Sequence, residues 1–256
     1  MSSIELASGH AMPLLGLGTW DLRGKACEAG VQLALEMGYR HIDTAYMYEN
    51  QVEVGRGLRA SGVSRGEVFV TTKIWRDSLE YDGVLAQFAA CLEMLQMDYV
   101  DLLLSHWPND SVPLAGTLKA FDEIAATGQA RSIGVSNFSA ALIDAAQELA
   151  TAPIVNNQIE LHVGNIDVEL FAHCQQREVS VTAYRPLAKG TAAGDVVLGE
   201  IGGKHGKSAA QVALRWLVQQ GIIAIPKSSS EEHLRANMDI FAWALEEEEM
   251  GRLDRL

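Results

Sequence analysis

Eight short runs of apolar and β-branched residues recur along the chain, and segments with helical periodicity separate most of them. The runs are LLGLGTW (14–20), YRHID (39–43), VFVTTKI (68–74), YVDLLLSH (99–106), ARSIGVS (130–136), PIVNNQI (153–159), VSVTAY (179–184) and GIIAIP (221–226). Between them lie stretches such as GKACEAGVQLALEMG, GVLAQFAACLEMLQM and AGTLKAFDEIAATG, apolar at three- and four-residue intervals. Strands that alternate with helices pair in parallel through right-handed crossovers. An open doubly wound sheet fits the same alternation, but eight continuously apolar strands favour closure. The pattern predicts a (β/α)8 barrel. IELASGHAMP predicts an extra hairpin across the barrel bottom, turning at Ala7–His10. No linker, low-complexity tract or charge block marks a boundary, so residues 1–256 read as one domain.

Charge narrows the range of partners. With 33 acidic and 20 basic residues, the formal net charge is -13. Such a surface repels nucleic acid and anionic membranes. Cys27, Cys91 and Cys174 are odd in number and show no CxxC spacing, so they read as buried thiols in a reducing compartment. MSSIELASGH lacks the apolar core of a leader, and no apolar run is long enough to span a bilayer. The expectation is a soluble, cytoplasmic protein. The acidic run Glu246–Glu249 reads as the solvated face of a C-terminal helix.

In a barrel the C-terminal ends of the strands form the active face. Polar residues expected there are Asp43, Lys73, His106, Ser136, Asn137, Asn157, Gln158, Tyr184 and Lys227, with Tyr48 on the loop after the second strand. Any one of them reads most simply as a hydrogen-bonded strand end; so many on one face points to a site. Asp43, Lys73, Tyr48 and His106 fit a single mechanism. A phenol of pKa ~10 is a poor acid at neutral pH, and lowering it by roughly three units takes about 4 kcal/mol. An ammonium at ~4 Å supplies about that much where the effective dielectric constant is near 20. An aspartate beside the lysine keeps it charged in a buried setting. The four residues therefore predict an acidified Tyr48 that gives its proton to a substrate oxygen held by His106.

These residues sit in ordered motifs that resemble the aldo-keto reductases over essentially the whole chain. The motifs are HIDTAYMYEN and VEVGRGL (41–58), TTKIW (71–75), YVDLLLSHWP (99–108), SIGVSNF (132–138), NNQIELH (156–162), AYRPLAKG (183–190) and IPKSSSEEHLRAN (225–237). The likeness is greatest to bacterial reductases of 2,5-diketogluconate and methylglyoxal. It implies an NADPH-dependent reduction of aldehydes and ketones to alcohols, with Tyr48 as general acid, Lys73 and Asp43 tuning it and His106 orienting the carbonyl. It also implies that Ser136, Asn137 and Gln158 hold the nicotinamide carboxamide and that Tyr184 stacks on the ring. Gly18, Thr19 and Trp20 match the loop beside the ribose. Arg185, Pro186, Leu187, Lys227, Ser228, Ser229, His233 and Asn237 match positions along the phosphates and adenosine. Trp20, Tyr46, Tyr48, Trp75, His106 and Trp107 would wall the substrate pocket, where aromatics keep water from the reaction. LLGLGTW holds a GxG with no third glycine opening a helix, so a dinucleotide fingerprint is lacking and side chains at the barrel mouth must grip the cofactor.

Three departures from the family pattern matter. Ser230 and His233 stand where arginines often hold the 2′-phosphate, which removes bidentate forks; Arg235 is near enough in sequence to compensate. NADPH is expected to work, with NADH also accepted. Arg185 replaces a usual serine and adds a positive charge near the cofactor, open to three readings: a pyrophosphate partner, an anionic-substrate partner or a plain surface residue. Family members continue past MGRLDRL into a loop over the substrate; either this protein lacks that lid, which would leave the pocket more open, or the sequence stops short of it. A monomer is the family-based expectation. Two rival readings are a cofactor-binding regulatory barrel without turnover and a metal-dependent barrel hydrolase using His106, His162, His173, Asp43 and Cys174. The second lacks HxH or HExxH spacing.

Overall fold

The computed structural model describes residues 2–256. A hairpin comes first: β1 (Ser3–Glu5) pairs antiparallel with β2 (Ala11–Pro13), Ser3 opposite Pro13. Eight parallel strands follow in chain order: β3 (Leu17–Gly18), β4 (His41–Asp43), β5 (Phe69–Ile74), β6 (Leu102–Ser105), β7 (Ile133–Ser136), β8 (Ile154–Glu160), β9 (Ser180–Tyr184) and β10 (Ile223–Ala224). The last strand meets the first. Leu15 bridges Ala224 in parallel, Gly16 N–H donates to the Ala224 carbonyl at 2.9 Å, and Gly18 N–H donates to the Pro226 carbonyl at 3.1 Å. The sheet is thus closed, and the predicted (β/α)8 barrel is what forms.

The seam is the least regular part of the sheet. LLGLGTW and GIIAIP predict longer strands than β3 and β10, which are two residues each. At Gly18 the two backbones come so close that an added Cβ would lie 2.6 Å from the Ile225 carbonyl oxygen. Only glycine permits that approach.

Helices α1 (Gly24–Glu36), α2 (Gln51–Ala60), α3 (Tyr81–Leu95), α4 (Leu114–Ala126), α5 (Ala140–Leu149) and α6 (Val168–Gln176) each follow one of the strands β3 to β8. α7 (Val196–His205) and α8 (Ala209–Gln219) lie between β9 and β10; α9 (Glu231–Met238) and α10 (Glu247–Leu253) end the fold. Their apolar spacing sets the inward face: Cys27, Val31, Ala34 and Leu35 of α1 are buried, as are Val84, Phe88, Leu92 and Leu95 of α3. Side-chain oxygens of Ser139, Asp167, Asp195, Ser208 and Ser230 cap the N-termini of α5 to α9 in turn. β4 to β7 are buried at every residue, as a parallel sheet covered on both faces requires.

The hairpin sits at the N-terminal end of the barrel. Met12 is fully buried, and the Ser8 hydroxyl lies 2.7 Å from that of Ser132, just before β7. Among the described residues no helix is long and apolar enough to cross a membrane. The three cysteines are buried and unpaired. In the acidic run Glu246, Glu247 and Glu248 are exposed as expected, and one position needs correcting. Glu249 is buried, accepting a bond from the Glu246 N–H at 3.0 Å and lying 2.7 Å from His205 Nε2, so it anchors α10 to α7 and is no part of a solvated face.

Candidate active site

Asp43 ends β4 and Lys73 lies on the neighbouring β5, both pointing into the barrel and sealed from solvent. Lys73 Nζ donates to Asp43 Oδ1 at 2.6 Å, to the Thr44 carbonyl at 2.9 Å and to Tyr48 Oη at 3.2 Å. An ammonium has three hydrogens, and these contacts use all of them. The other carboxylate oxygen of Asp43 accepts from Gln158 Nε2 at 2.7 Å. A buried ion pair survives only when its remaining hydrogen-bonding capacity is filled in this way.

Tyr48 hangs over this pair from a 3-10 turn, Tyr46–Tyr48, which Glu49 ends in a left-handed conformation at φ 52°. Asn50 holds the turn in place. Its Nδ2 donates to the Thr19 and Leu22 carbonyls at 2.8 and 3.0 Å, and its Oδ1 accepts from the Thr44 hydroxyl at 3.0 Å. The Tyr48 ring meets Trp20 edge-on at 5.0 Å and His106 at 5.5 Å; Trp75 backs His106 at 5.2 Å.

The electrostatics differ from the expectation in one respect. Burial raises the Tyr48 phenol above its usual range; Lys73 pulls it down, Asp43 pushes it up again, and the net shift is upward. Burial, more than any neighbour, opposes the acidified phenol predicted from sequence, and Asp43 offsets part of the lysine's pull as well. Burial also opposes the Lys73 ammonium, but Asp43 and Tyr48 outweigh it and hold it charged. His106 is pushed down to about 3 by burial and by Lys73, so its ring is neutral. His106 Nδ1 is buried without a partner. An orphaned acceptor is more tolerable than an orphaned N–H, so the proton belongs on Nε2.

A cavity of about 210 Å³ opens above these groups, lined by Gly18, Trp20, Asp43, Tyr48, His106, Trp107, Ser136, Asn137, Gln158, Tyr184, Arg185 and Lys227 from the sequence-derived set. Met47 and Ile225 also line it; nothing in their sequence context singles them out. A groove of about 880 Å³ adjoins it, with Pro186, Leu187, Lys189, Ser228, Glu232, His233 and Asn237 in its walls. Trp20, Arg185 and Lys227 belong to both. Along the cavity floor the Tyr184 hydroxyl donates to Asn137 Oδ1 at 3.0 Å, and Asn137 Nδ2 donates to the His106 carbonyl at 3.1 Å and the Ser136 hydroxyl at 3.0 Å.

Several expected residues lie outside the two cavities. Thr19 is buried behind the site, its hydroxyl donating to the Asp43 carbonyl at 2.9 Å. Trp75 and Tyr46 flank the site without lining it, and Ser229 is exposed away from the groove. Asn157 faces away from the cavity, its side chain bonded to the Phe138 N–H and carbonyl, as strand alternation beside Gln158 requires. Arg235, the residue expected to compensate for the missing arginines, pairs with Glu231 at 2.9 Å on the exposed side of α9 and does not line the groove. Among the described residues no three metal-ligating side chains converge; His173 bonds Asp144, and His162 bonds the Val163 carbonyl.

The donor set suits a nicotinamide dinucleotide. The cavity offers a flat aromatic face and the amides of Asn137 and Gln158, and the junction with the groove offers two cations for bridging phosphates. Fold and site together define a barrel enzyme with a buried Asp–Lys–Tyr cluster at the strand C-termini. The chain belongs to the aldo/keto reductase family, whose pattern it matches over residues 14–256. It is an oxidoreductase acting on carbonyl compounds, of a family that uses nicotinamide cofactors.

Its sequence is 42% identical to the 9,11-endoperoxide prostaglandin H2 reductase of Trypanosoma cruzi, covering 99% of this chain and 90% of that protein. It is 38% identical to the glyoxal reductase of Bacillus subtilis, covering 99% and 92%. The crystal structure of a putative 2,5-diketo-D-gluconic acid reductase B superposes with a TM-score of 0.93 at 40% identity, covering 98% of this chain and 89% of that one.

Proposed function

We propose that this protein is an NADPH-dependent carbonyl reductase that also accepts NADH, working as a monomer in the cytoplasm, with the whole chain forming one barrel domain. Small aldehydes, dicarbonyls and keto-sugars are its substrate class. The glyoxal reductase and diketogluconate reductase likenesses support that choice. The observation that carries the reading is the saturated Lys73 ammonium, bonded at once to Asp43 and to the hydroxyl of Tyr48 on the cavity wall.

In this mechanism His106 Nε2–H and the Tyr48 hydroxyl both address the substrate oxygen, fixing the carbonyl between the tryptophans. A reduced nicotinamide held by these residues would supply the hydride that the carbonyl carbon needs. As negative charge grows on the oxygen, Tyr48 transfers its proton there. The developing alkoxide is far more basic than the phenol, so a raised phenol pKa still leaves the transfer downhill, and it keeps Tyr48 protonated beforehand. Lys73 receives the phenolate's charge at 3.2 Å in a site that needs no reorganisation. Ser136, Asn137, Gln158 and Tyr184 seat the nicotinamide end; Lys227, Ser228, His233 and Asn237 seat the adenosine end. With no arginine at position 230 or 233 and Glu232 in the groove wall, discrimination against NADH should be modest.

The test is consumption of NADPH over a panel of aldehydes, dicarbonyls and keto-sugars, with wild type and Tyr48→Phe. Turnover that vanishes in the variant supports the reading. NADPH binding without turnover on any carbonyl would favour a regulatory barrel instead.

A further inference from the structure

The cavity and the groove share three residues, and two of these, Arg185 and Lys227, are cations. A dinucleotide lying through both must carry its charged middle across that junction. The protein as a whole has a net charge of -13, so an anion there depends on local positive groups. Lys227 is exposed and has no side-chain hydrogen bond among the described residues, whereas Arg185 is engaged. Its Nη1 donates to Glu160 Oε2 at 2.9 Å, the one hydrogen bond its side chain makes among the described residues. Glu160 ends β8 and lines neither cavity. The pair is partly open to solvent, at 42% and 34% side-chain exposure, so it is weakly held. Arg185 also takes a left-handed backbone, φ 51°, a conformation that non-glycine residues keep mainly where the surroundings enforce it.

We propose that Arg185 and Glu160 form a latch: the guanidinium rests on Glu160 in the empty enzyme and leaves it for the bridging phosphates of the bound dinucleotide. The exchange trades a single-point bond for a forked, charge-assisted one, which a guanidinium makes to phosphate especially well. Glu160 then acts as a competitor for the cation and holds cofactor affinity below its limit. This inference rests on the proposed cofactor reading.

The test is fluorescence titration of the cofactor-free protein with NADPH at low salt, for wild type, Arg185→Met, Glu160→Gln and the double variant, with thermal unfolding as a check on folding. Arg185→Met should raise Kd about tenfold. Glu160→Gln should lower it three- to tenfold, the opposite of what loss of a structural ion pair would do. In the double variant the gain from Glu160→Gln should disappear, because no guanidinium remains to be freed. Adenosine 2′-monophosphate, which lacks the bridging phosphates, should bind all four proteins within twofold of one another. If Glu160→Gln leaves Kd unchanged or higher, or if its gain persists without Arg185, there is no latch. If wild type fails to bind NADPH at all, the cofactor reading falls with it, an outcome separate from the others.

Discussion

Lys73 places its ammonium 2.6 Å from the Asp43 carboxylate, and neither side chain is more than 1% exposed. The pair lies at the bottom of the cavity and supports everything above it. Removing one partner leaves the other charge buried and alone. Lys73→Met should therefore destabilise the protein by about 3–5 kcal/mol. The double variant Asp43→Asn/Lys73→Met should recover part of that loss. Urea denaturation of both single variants and the double variant checks this; losses that simply add would mean that the two charges are not coupled.

Tyr48→Phe removes the proton and leaves the ring contacts with Trp20 and His106. Carbonyl reduction should fall by roughly 10²–10⁴-fold, the span assigned to a general acid. The Kd for NADPH should hold within twofold, since the phenol is not expected to grip the cofactor. Stopped-flow single turnovers would separate the two effects.

The pH profile of reduction should be flat through the neutral range. Tyr48 is shifted upward, so it remains an acid well into the alkaline range, and His106, at about 3, carries no charge to lose. A plot of kcat/KM against pH should show no break between roughly pH 5 and 9, given an ordinary phenol pKa of ~10. The reverse oxidation, which needs the phenolate, should rise as pH climbs. A break near pH 6.5 in reduction would mean a charged imidazole takes part.

How much of this was legible in the chain depends on what each inference needed. The strand ends could be read because apolar runs stop on Asp43, Ser136 and Tyr184, and barrel topology gathers such ends on one face. The shift of Tyr48 could not be read: it turns on burial, and burial depends on how the Tyr46–Tyr48 turn folds over the barrel. Met47 and Ile225 carry no signature because any apolar residue can line a wall. The ties of Arg185 to Glu160 and Arg235 to Glu231 are likewise decided by where loops come to rest.

Acid should destabilise the fold through His41. This ring is fully buried with Nδ1 unpartnered, and Nε2 lies 3.2 Å from the Thr71 hydroxyl. Burial lowers its pKa from 6.5 to about 4, against the pull of Asp43 and with the push of Lys73. The unfolded chain then binds the proton first. Stability from the neutral ring is fully present above pH 6.5 and is lost as pH falls towards 4, by about 3 kcal/mol in all. His106 shifts the same way and adds to the decline. Urea midpoints measured across this range should fall steadily, and His41→Asn should flatten the curve.

Cofactor choice should respond to the groove. His233→Arg restores a guanidinium where the wall holds His233 and Asn237. A charge-assisted bond to the 2′-phosphate is worth about 1.5–3 kcal/mol, so the NADPH-to-NADH ratio of kcat/KM should rise roughly 10- to 100-fold. An unchanged ratio would place the 2′-phosphate elsewhere.

The Asn50 amide has a practical bearing on redesign. By bonding to Thr19, Leu22 and Thr44 it makes the segment carrying Trp20 and the segment carrying Tyr48 a single mechanical part. Transplanting either segment from another enzyme to alter selectivity would misalign Tyr48 over Lys73. The two have to be exchanged together as one cassette, with the asparagine that joins them.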